Sequence, residues 1–297
     1  MNLAKASKRI RVAKPKKFRL ADCDPAATHG VDKDEAEKLL ASGAAQLADL
    51  QKRLWAHDRW AVLVILQGMD TAGKDGVINH VMSGVDPQGC EVHSFKAPTP
   101  EELDHDFLWR CACKLPERGR IGIFNRSYYE DVLIARVHPD MLARQKLPRQ
   151  VITKHIWRER FEDICAFERM LAHNGTLVLK FFLHISPEEQ CERLLARLEE
   201  PDKRWKFSMD DIAERRRWPD YMEAYEDMIR ATSHADAPWH VVPADHKPIA
   251  RLMVAQVMIE ALSGLGLAFP KVGGKALADL KEVERALRSE RTPPKRS

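Results

Sequence analysis

No stretch of this 297-residue chain reaches the roughly 18 consecutive apolar residues that a membrane span requires. No apolar segment follows its basic beginning, so neither a membrane partner nor a secretory signal is expected. Its six cysteines include no C-x-x-C pair, and its histidines show no metal-ligand spacing. Cys111 and Cys113, two apart, suit alternate faces of a strand better than a tetrahedral metal site. Reduced thiols in a cytoplasmic protein are the expectation. Acids are missing from the first twenty residues, which instead carry Lys5, Lys8, Arg9, Arg11, Lys14, Lys16, Lys17 and Arg19. Two readings of residues 1–33 stay open: a solvated basic arm without a partner, or an arm drawn to a polyanion such as polyphosphate or nucleic acid. Phe18 is the only aromatic among those bases, which argues against nucleic acid, whose single strands are held by stacking.

What the chain does have is alternation. With 44% hydrophobic and 31% charged residues it reads as globular. Residues 34–56 repeat apolar side chains at helical spacing. Residues 60–66 then form an almost unbroken apolar run, the signature of a strand buried on both faces. Further strands are expected at 91–95, 120–124, 176–185 and 239–243. Helices are expected at 74–82, 100–114, 150–172, 187–199, 209–232 and 247–265. Strands alternating with helices imply an α/β fold, a parallel sheet with helices on both faces.

The first strand runs into Gly68-Met69-Asp70-Thr71-Ala72-Gly73-Lys74-Asp75-Gly76. This is G-x-x-x-x-G-K in the strand–loop–helix context that a phosphate-binding P-loop requires. Inward-pointing N–H groups, a helix N-terminus and the Lys74 ammonium make an anion site for a di- or triphosphate-like group. A plain glycine turn would leave Lys74 without a purpose. Two features depart from the usual loop. Asp75 stands where a Ser or Thr would bind a metal, and Asp70 lies inside the loop. A carboxylate beside phosphate oxygens is repulsive unless a cation lies between, so Asp70 points to a metal such as Mg²⁺. A turn-stabilising Asp bonded to local N–H groups is the alternative.

The strand at 120–124 ends in Asn125-Arg126-Ser127-Tyr128-Tyr129-Glu130-Asp131. Carboxyl ends of parallel strands face the ligand crevice, so Arg126 is placed to clamp phosphates and Glu130 or Asp131 to hold metal. The alternative is that both acids only favour a helix dipole. Basic residues then crowd 193–217: Arg193 and Arg197 share a helix face, and Lys203, Arg204, Lys206, Arg215, Arg216 and Arg217 follow. A basic flap at about 198–219 would surround a moving phosphoryl group and exclude water. A solvated helix paired with Glu192, Glu199, Glu200 and Asp202 is the alternative.

Together the P-loop, Phe124-Asn125-Arg126-Ser127-Tyr128-Tyr129-Glu130-Asp131-Val132-Leu133 and Trp205-Lys206-Phe207-Ser208 resemble the polyphosphate kinase 2 family. Val85-Asp86-Pro87-Gln88-Gly89, Ser94-Phe95-Lys96-Ala97-Pro98 and Ala237-Pro238-Trp239 add to the likeness, which spans about 35–265. The resemblance implies a P-loop kinase fold similar to thymidylate kinase, with a helical lid. It implies Mg²⁺-assisted phosphoryl transfer between inorganic polyphosphate and nucleoside mono- or diphosphates, and assembly as a dimer or tetramer. Asp70 then matches the loop carboxylate used for metal and acceptor positioning, Lys74 and Arg126 the phosphate-binding cations, and Arg197 a lid arginine. Many members carry Asp where this chain has Asn125, so Asp131 would have to supply that metal ligand. The Glu130-Asp131 pair resembles the third subclass, which accepts both mono- and diphosphates. The kinase domain is expected at 34–265 and a charged tail, disordered at its end, at 266–297.

Overall fold

The computed structural model describes residues 3–290. Helices α1 (Leu3–Ile10) and α2 (Lys33–His57) lead to β1 (Ala61–Gln67), followed by α3 (Lys74–Val81) and β2 (Cys90–Ser94). Next come α4 (Trp109–Ala112), β3 (Ile121–Asn125), α5 (Glu130–Val137), α6 (Pro139–Ala143) and α7 (Ile156–His173). The chain continues through β4 (Thr176–His184), α8 (Pro187–Glu199), α9 (Met209–Arg215) and α10 (Trp218–Thr232). It ends in β5 (Trp239–Pro243), α11 (Lys247–Ser263) and α12 (Gly274–Glu290).

The strands form one parallel sheet in the order β2-β3-β1-β4-β5. All seven residues of β1 are buried, as its unbroken apolar run requires at the centre of a sheet covered on both faces. The order reverses at β1: β3 pairs with it on one side and β4 on the other. Ligands of open parallel sheets bind at such a switch point, beyond the carboxyl ends of the strands. The fold is thus the expected α/β P-loop kinase architecture.

Three local expectations are corrected. The helix expected at 100–114 is a 3₁₀ turn (Glu102–Asp104) and the single turn of α4. Asp106 accepts the backbone N–H groups of Leu108 and Trp109 and holds the chain in a loop between them. The helix expected over 150–172 starts only at Ile156. The pattern at 209–232 is two helices, because Pro219 fits only in the first turn of a new one.

The basic beginning is not a solvated arm. Ala6, Ile10, Val12 and Leu20 are buried in the core, and α1 packs on α11. Arg11 bridges to His240, and Val12 N–H donates to Trp239 O at 2.9 Å, which covers the open edge of β5. At the other end, no residue of α12 is buried. The end of the tail, 291–297, where disorder is expected, lies outside the described residues.

Candidate active site

The loop after β1 is held in a shape few sequences allow. Gly68 has φ +154°, and a Cβ there would stand 2.8 Å from Leu183 O on β4. Thr71 and Arg126, with φ +63° and +65°, are non-glycine residues in the left-handed region, one on each of the two loops that meet at the switch point. Such strain concentrates at functional sites, where surrounding structure enforces it. Lys74, first residue of α3, is almost fully buried, and its Nζ donates back to Gly68 O (2.6 Å) and Met69 O (3.1 Å). An ammonium has three donors, so one remains for a ligand. Burial and the nearby Arg126 push its pKa down, against Asp70, Glu130 and Asp75.

Around this loop lies a cavity of about 420 Å³. Lys74, Arg126, Arg193, Arg197, Lys247 and Arg251 bring cations to it; Asp70, Asp75 and Glu200 are its acids. Arg126 Nη2 donates to Asp70 Oδ1 at 2.8 Å, and its Nη1 stands 3.5 Å from Glu130 Oε2. Glu130, above all, holds the guanidinium charged, with Asp70 adding to it against burial. Glu130 itself is pushed up by burial, which Arg126 and Lys74 oppose. Asp75, in the place of the usual loop Ser or Thr, pairs with Asn125, in the place of the family's common Asp: Asn125 Nδ2 donates to Asp75 Oδ1 at 2.7 Å. Asp75 thereby ties the first turn of α3 to the end of β3.

The expected site residues do not all converge. Asp131 lines no part of the P-loop cavity. Its Oδ1 accepts from Gln145 Nε2 at 2.6 Å, and burial, opposed by Arg160 and Arg110, lifts its pKa to about 6. Gln145 takes one of its carboxylate oxygens, and Arg160 donates to its backbone carbonyl at 2.8 Å. Arg193 is a brace rather than a free phosphate ligand. Its Nε donates to Glu189, its Nη1 to Thr71 O and Ala72 O, and its Nη2 to Ala244 O and Asp245 O, which uses all five donors. Arg197 lines the cavity, with Nη1 3.4 Å from Asp211 Oδ2 on α9. Arg204 Nε donates to Leu198 O at 2.7 Å, capping the end of α8 away from the cavity. The side chains of Lys203 and Lys206 lie outside the described residues.

Lys247 and Arg251 escaped the sequence reading. They are four apart at the start of α11, directly after β5, and that position beyond a strand's carboxyl end was the available signal. A second cavity, about 310 Å³, was missed as well. Phe95, Pro98, Leu103, Ile134 and Met141 give it an apolar wall, and Lys96, Arg110, Arg126, Glu130, Asp131 and Arg144 bring charge to it. Its parts come from α5, α6 and the loop after β2, segments far apart in sequence. Arg126 lines both cavities.

A family model for Polyphosphate kinase 2 (PPK2) matches residues 30–266. The chain belongs to the polyphosphate kinase 2 family. It is 50% identical over 256 residues to the ADP-polyphosphate phosphotransferase of Rhodopseudomonas palustris, covering 86% of this chain and 89% of that one. It is 44% identical over 266 residues to the AMP/ADP-polyphosphate phosphotransferase of Meiothermus ruber, covering 89% and 96%. The crystal structure of polyphosphate kinase 2 from Arthrobacter aurescens TC1 matches with a TM-score of 0.86 at 43% identity, covering 96% of each chain.

In this polyphosphate kinase 2 family member the Arg126 loop is anchored from behind. Glu168, fully buried on α7, accepts from Tyr128 OH (2.9 Å), Tyr129 OH (2.7 Å) and Lys180 Nζ (2.6 Å). His234 Nε2 lies 3.1 Å from Oε2, the oxygen that also takes Lys180. Burial raises the Glu168 pKa, but Lys180 and these hydrogen bonds outweigh it and hold the carboxylate ionised. The two tyrosines follow directly on Arg126 and Ser127, so the network fixes the backbone that presents Arg126 and Glu130.

Proposed function

We propose that the chain transfers phosphoryl groups between inorganic polyphosphate and nucleoside mono- and diphosphates, making ATP from AMP and ADP and GTP from GDP. The observation that carries the reading is the place of Arg126 between two unlike cavities. The cation-rich one suits a chain of phosphates. The second, which sets an apolar wall of Phe95, Pro98, Leu103, Ile134 and Met141 beside its charged groups, suits a nucleoside whose phosphates reach the same guanidinium. The names of the Rhodopseudomonas and Meiothermus relatives supply the substrate class.

A terminal oxygen of the acceptor phosphate attacks the end phosphorus of polyphosphate in line, and the shortened polyphosphate leaves. Neither oxygen needs a protein base, so positioning and charge stabilisation carry the rate. Lys74 turns its remaining donor toward the donor phosphates, Arg126 spans donor and acceptor, and Arg197 closes over them from the end of α8. Lys203, Arg204 and Lys206 belong to the proposed flap. Arg193 keeps the loop carbonyls turned away from the anion.

The donor chemistry fits Mg²⁺. Asp70 offers a hard, part-exposed carboxylate to the cavity, and Mg²⁺ is commonly held by one or two carboxylates plus substrate phosphates. Among the described residues no group of three or more His, Cys, Asp or Glu can hold an ion, so the phosphates themselves complete the site. Held there, Mg²⁺ would supply neutralisation of the negative charge on the transferring phosphoryl group. Asp70 is the proposed holder, because it lines the P-loop cavity and Asp131 does not. Asp70→Asn lowers the rate and raises the Mg²⁺ concentration needed for half-maximal activity. An unchanged rate and Mg²⁺ response would return Asp70 to holding the turn.

The decisive assay supplies AMP or ADP, long-chain polyphosphate and Mg²⁺, with no other triphosphate, and follows ATP. ATP from both acceptors is expected. Activity only when ATP is the donor to a nucleoside monophosphate would make the chain an ATP-dependent nucleoside monophosphate kinase instead. We also infer a homo-oligomer, a dimer or tetramer, supported by the exposed Leu277, Leu280, Val283 and Leu287 on α12. None of the described helices is long and apolar enough to cross a membrane, and the cytoplasm is the proposed location.

A further inference from the structure

The strongest feature outside the site is the folded basic segment at the start of the chain. Residues 3–20 are fixed at several independent points. Ser7 Oγ donates to Glu260 (2.7 Å), Ser233 Oγ to Val12 O (3.2 Å), Arg230 Nε to Phe18 O (2.8 Å) and Leu20 N–H to Glu226 (2.7 Å). The segment wraps a cavity of about 490 Å³ against the ends of β4 and β5. Arg9, Arg11, Lys14, Lys17 and Arg19 line it, opposed by only Asp22 and Asp24. Asp24 Oδ1 is taken by Ala26 N–H at 2.9 Å. None of the five bases forms an ion pair among the described residues.

Fixing five like charges around one hollow costs repulsion that a loose tail would avoid. The floor is unfinished too. His184, 9% exposed, lines the cavity and leaves its buried Nδ1 without a partner, as His29 does its Nε2. A site of this kind takes a phosphate-rich polyanion.

Its position says which one. Pro243 lines this cavity and Lys247 lines the P-loop cavity. They are four residues apart, at most about 14 Å along the chain. Arg193 joins the walls, with Thr71 O and Ala72 O on one side and Ala244 O and Asp245 O on the other. Asp245 N–H donates to Pro25 O at 3.1 Å, so the basic segment is tied to the same wall. A flexible polyanion whose end is held by the P-loop passes this wall and meets the second set of cations.

We propose that the cavity beneath the N-terminal segment is a second polyphosphate-binding site that holds the distal part of a long donor chain. The inference rests on the proposed use of polyphosphate. Two linked sites raise the affinity of a chain long enough to span both and leave a short one unaffected. Phe18 is the only Phe, Tyr or Trp lining the cavity, so it lacks the run of aromatic platforms that single-stranded nucleic acid uses.

The test is the variant Arg9→Gln, Arg11→Gln, Lys14→Gln and Lys17→Gln, all four exposed, with the fold checked by its unfolding midpoint. KM is measured for long-chain polyphosphate and for the shortest oligophosphate that wild type accepts. The expected result is a KM for the long chain raised about tenfold, with kcat and the short-chain KM unchanged. Equal shifts for both donors, or none for either, would overturn the second site. Direct binding of labelled long-chain polyphosphate to wild type and variant, without nucleotide, separates this from the catalytic reading. A wild type that makes no ATP from polyphosphate would sink the proposed activity, while the binding difference still reports on the cavity. Equal binding to wild type and variant would overturn the site. So would equally effective displacement by a single-stranded oligonucleotide at the same phosphate concentration, which marks a general polyanion surface.

Discussion

Two groups of buried charge flank the loop 126–130, and they are built on opposite plans. Behind it, Lys180 and Glu168 are wholly buried, and the tyrosines, His234 and Thr232 O complete their hydrogen bonds. In front of it, Lys74 keeps a spare donor and leans on two carbonyls, while Arg126 is divided between Asp70 and Glu130. Satisfied buried charge fixes geometry, because removing any member strands the others. Unsatisfied charge facing a cavity is tolerated only because a ligand completes it. The same loop is thus held rigid on one side and left reactive on the other.

The comparison breaks most easily at Glu168. Glu168→Ala leaves the Lys180 ammonium buried without its counter-charge, and a loss of about 3–5 kcal/mol in unfolding free energy is expected. Urea denaturation measures it. A loss below about 1 kcal/mol, the range of exposed pairs, would remove the network from the architecture.

Asp131 lies at the border and sharpens the contrast. Burial lifts its pKa from 3.8 to about 6, so between those values the folded chain keeps a proton that the unfolded chain has lost. Stability therefore falls as pH rises through that window, by at most ~3 kcal/mol from this group, and is level above it. Asp131→Asn retains an acceptor for Gln145 and has no proton to lose. Unfolding midpoints taken from pH 4 to 7 are expected to show the variant gaining on wild type as pH rises. Parallel curves would mean that Asp131 is ionised throughout.

The smallest effect concerns Glu130, the carboxylate shared by Arg126 and the apolar cavity. A shorter acceptor leaves a phosphate position empty, and a carboxylate fills it with ordered water or metal better than an amide does. Glu130→Gln is expected to lower the initial rate with AMP about fivefold more than the rate with ADP. Equal losses would place Glu130 in the common transfer step. No loss with either acceptor would leave it as a helix-dipole acid.

The sequence made the reactive side legible and hid much of the rigid one. A P-loop shows itself because its chemistry depends on backbone shape, and Gly68, Gly73 and Lys74 lie within seven residues. The central strand showed itself through burial on both faces. Arg193 was misread because its partners are carbonyls some 50 and 120 residues away, and nothing in a basic helix face records that. Lys180 and Glu168 were hidden inside a strand and a helix whose apolar neighbours set the pattern. The basic beginning looked like a tail because its anchors, Ala6, Ile10, Val12 and Leu20, are few among the charges. The break before Pro219 was missed in the expected helix 209–232, although proline belongs to a helix's first turn and marked it.

The contrast between the two groups is tested most directly by Lys74→Ala, with kcat for ATP formation and unfolding free energy measured on the same preparation. Removing this ammonium frees two carbonyls and takes one of two cations from Glu130, but Arg126 stays beside that carboxylate and leaves it paired. Turnover is expected to fall at least about a hundredfold, roughly 2.7 kcal/mol of barrier, with unfolding free energy within about 1 kcal/mol of wild type. A folded variant with near-normal turnover, or one that loses stability as Glu168→Ala does, would contradict it.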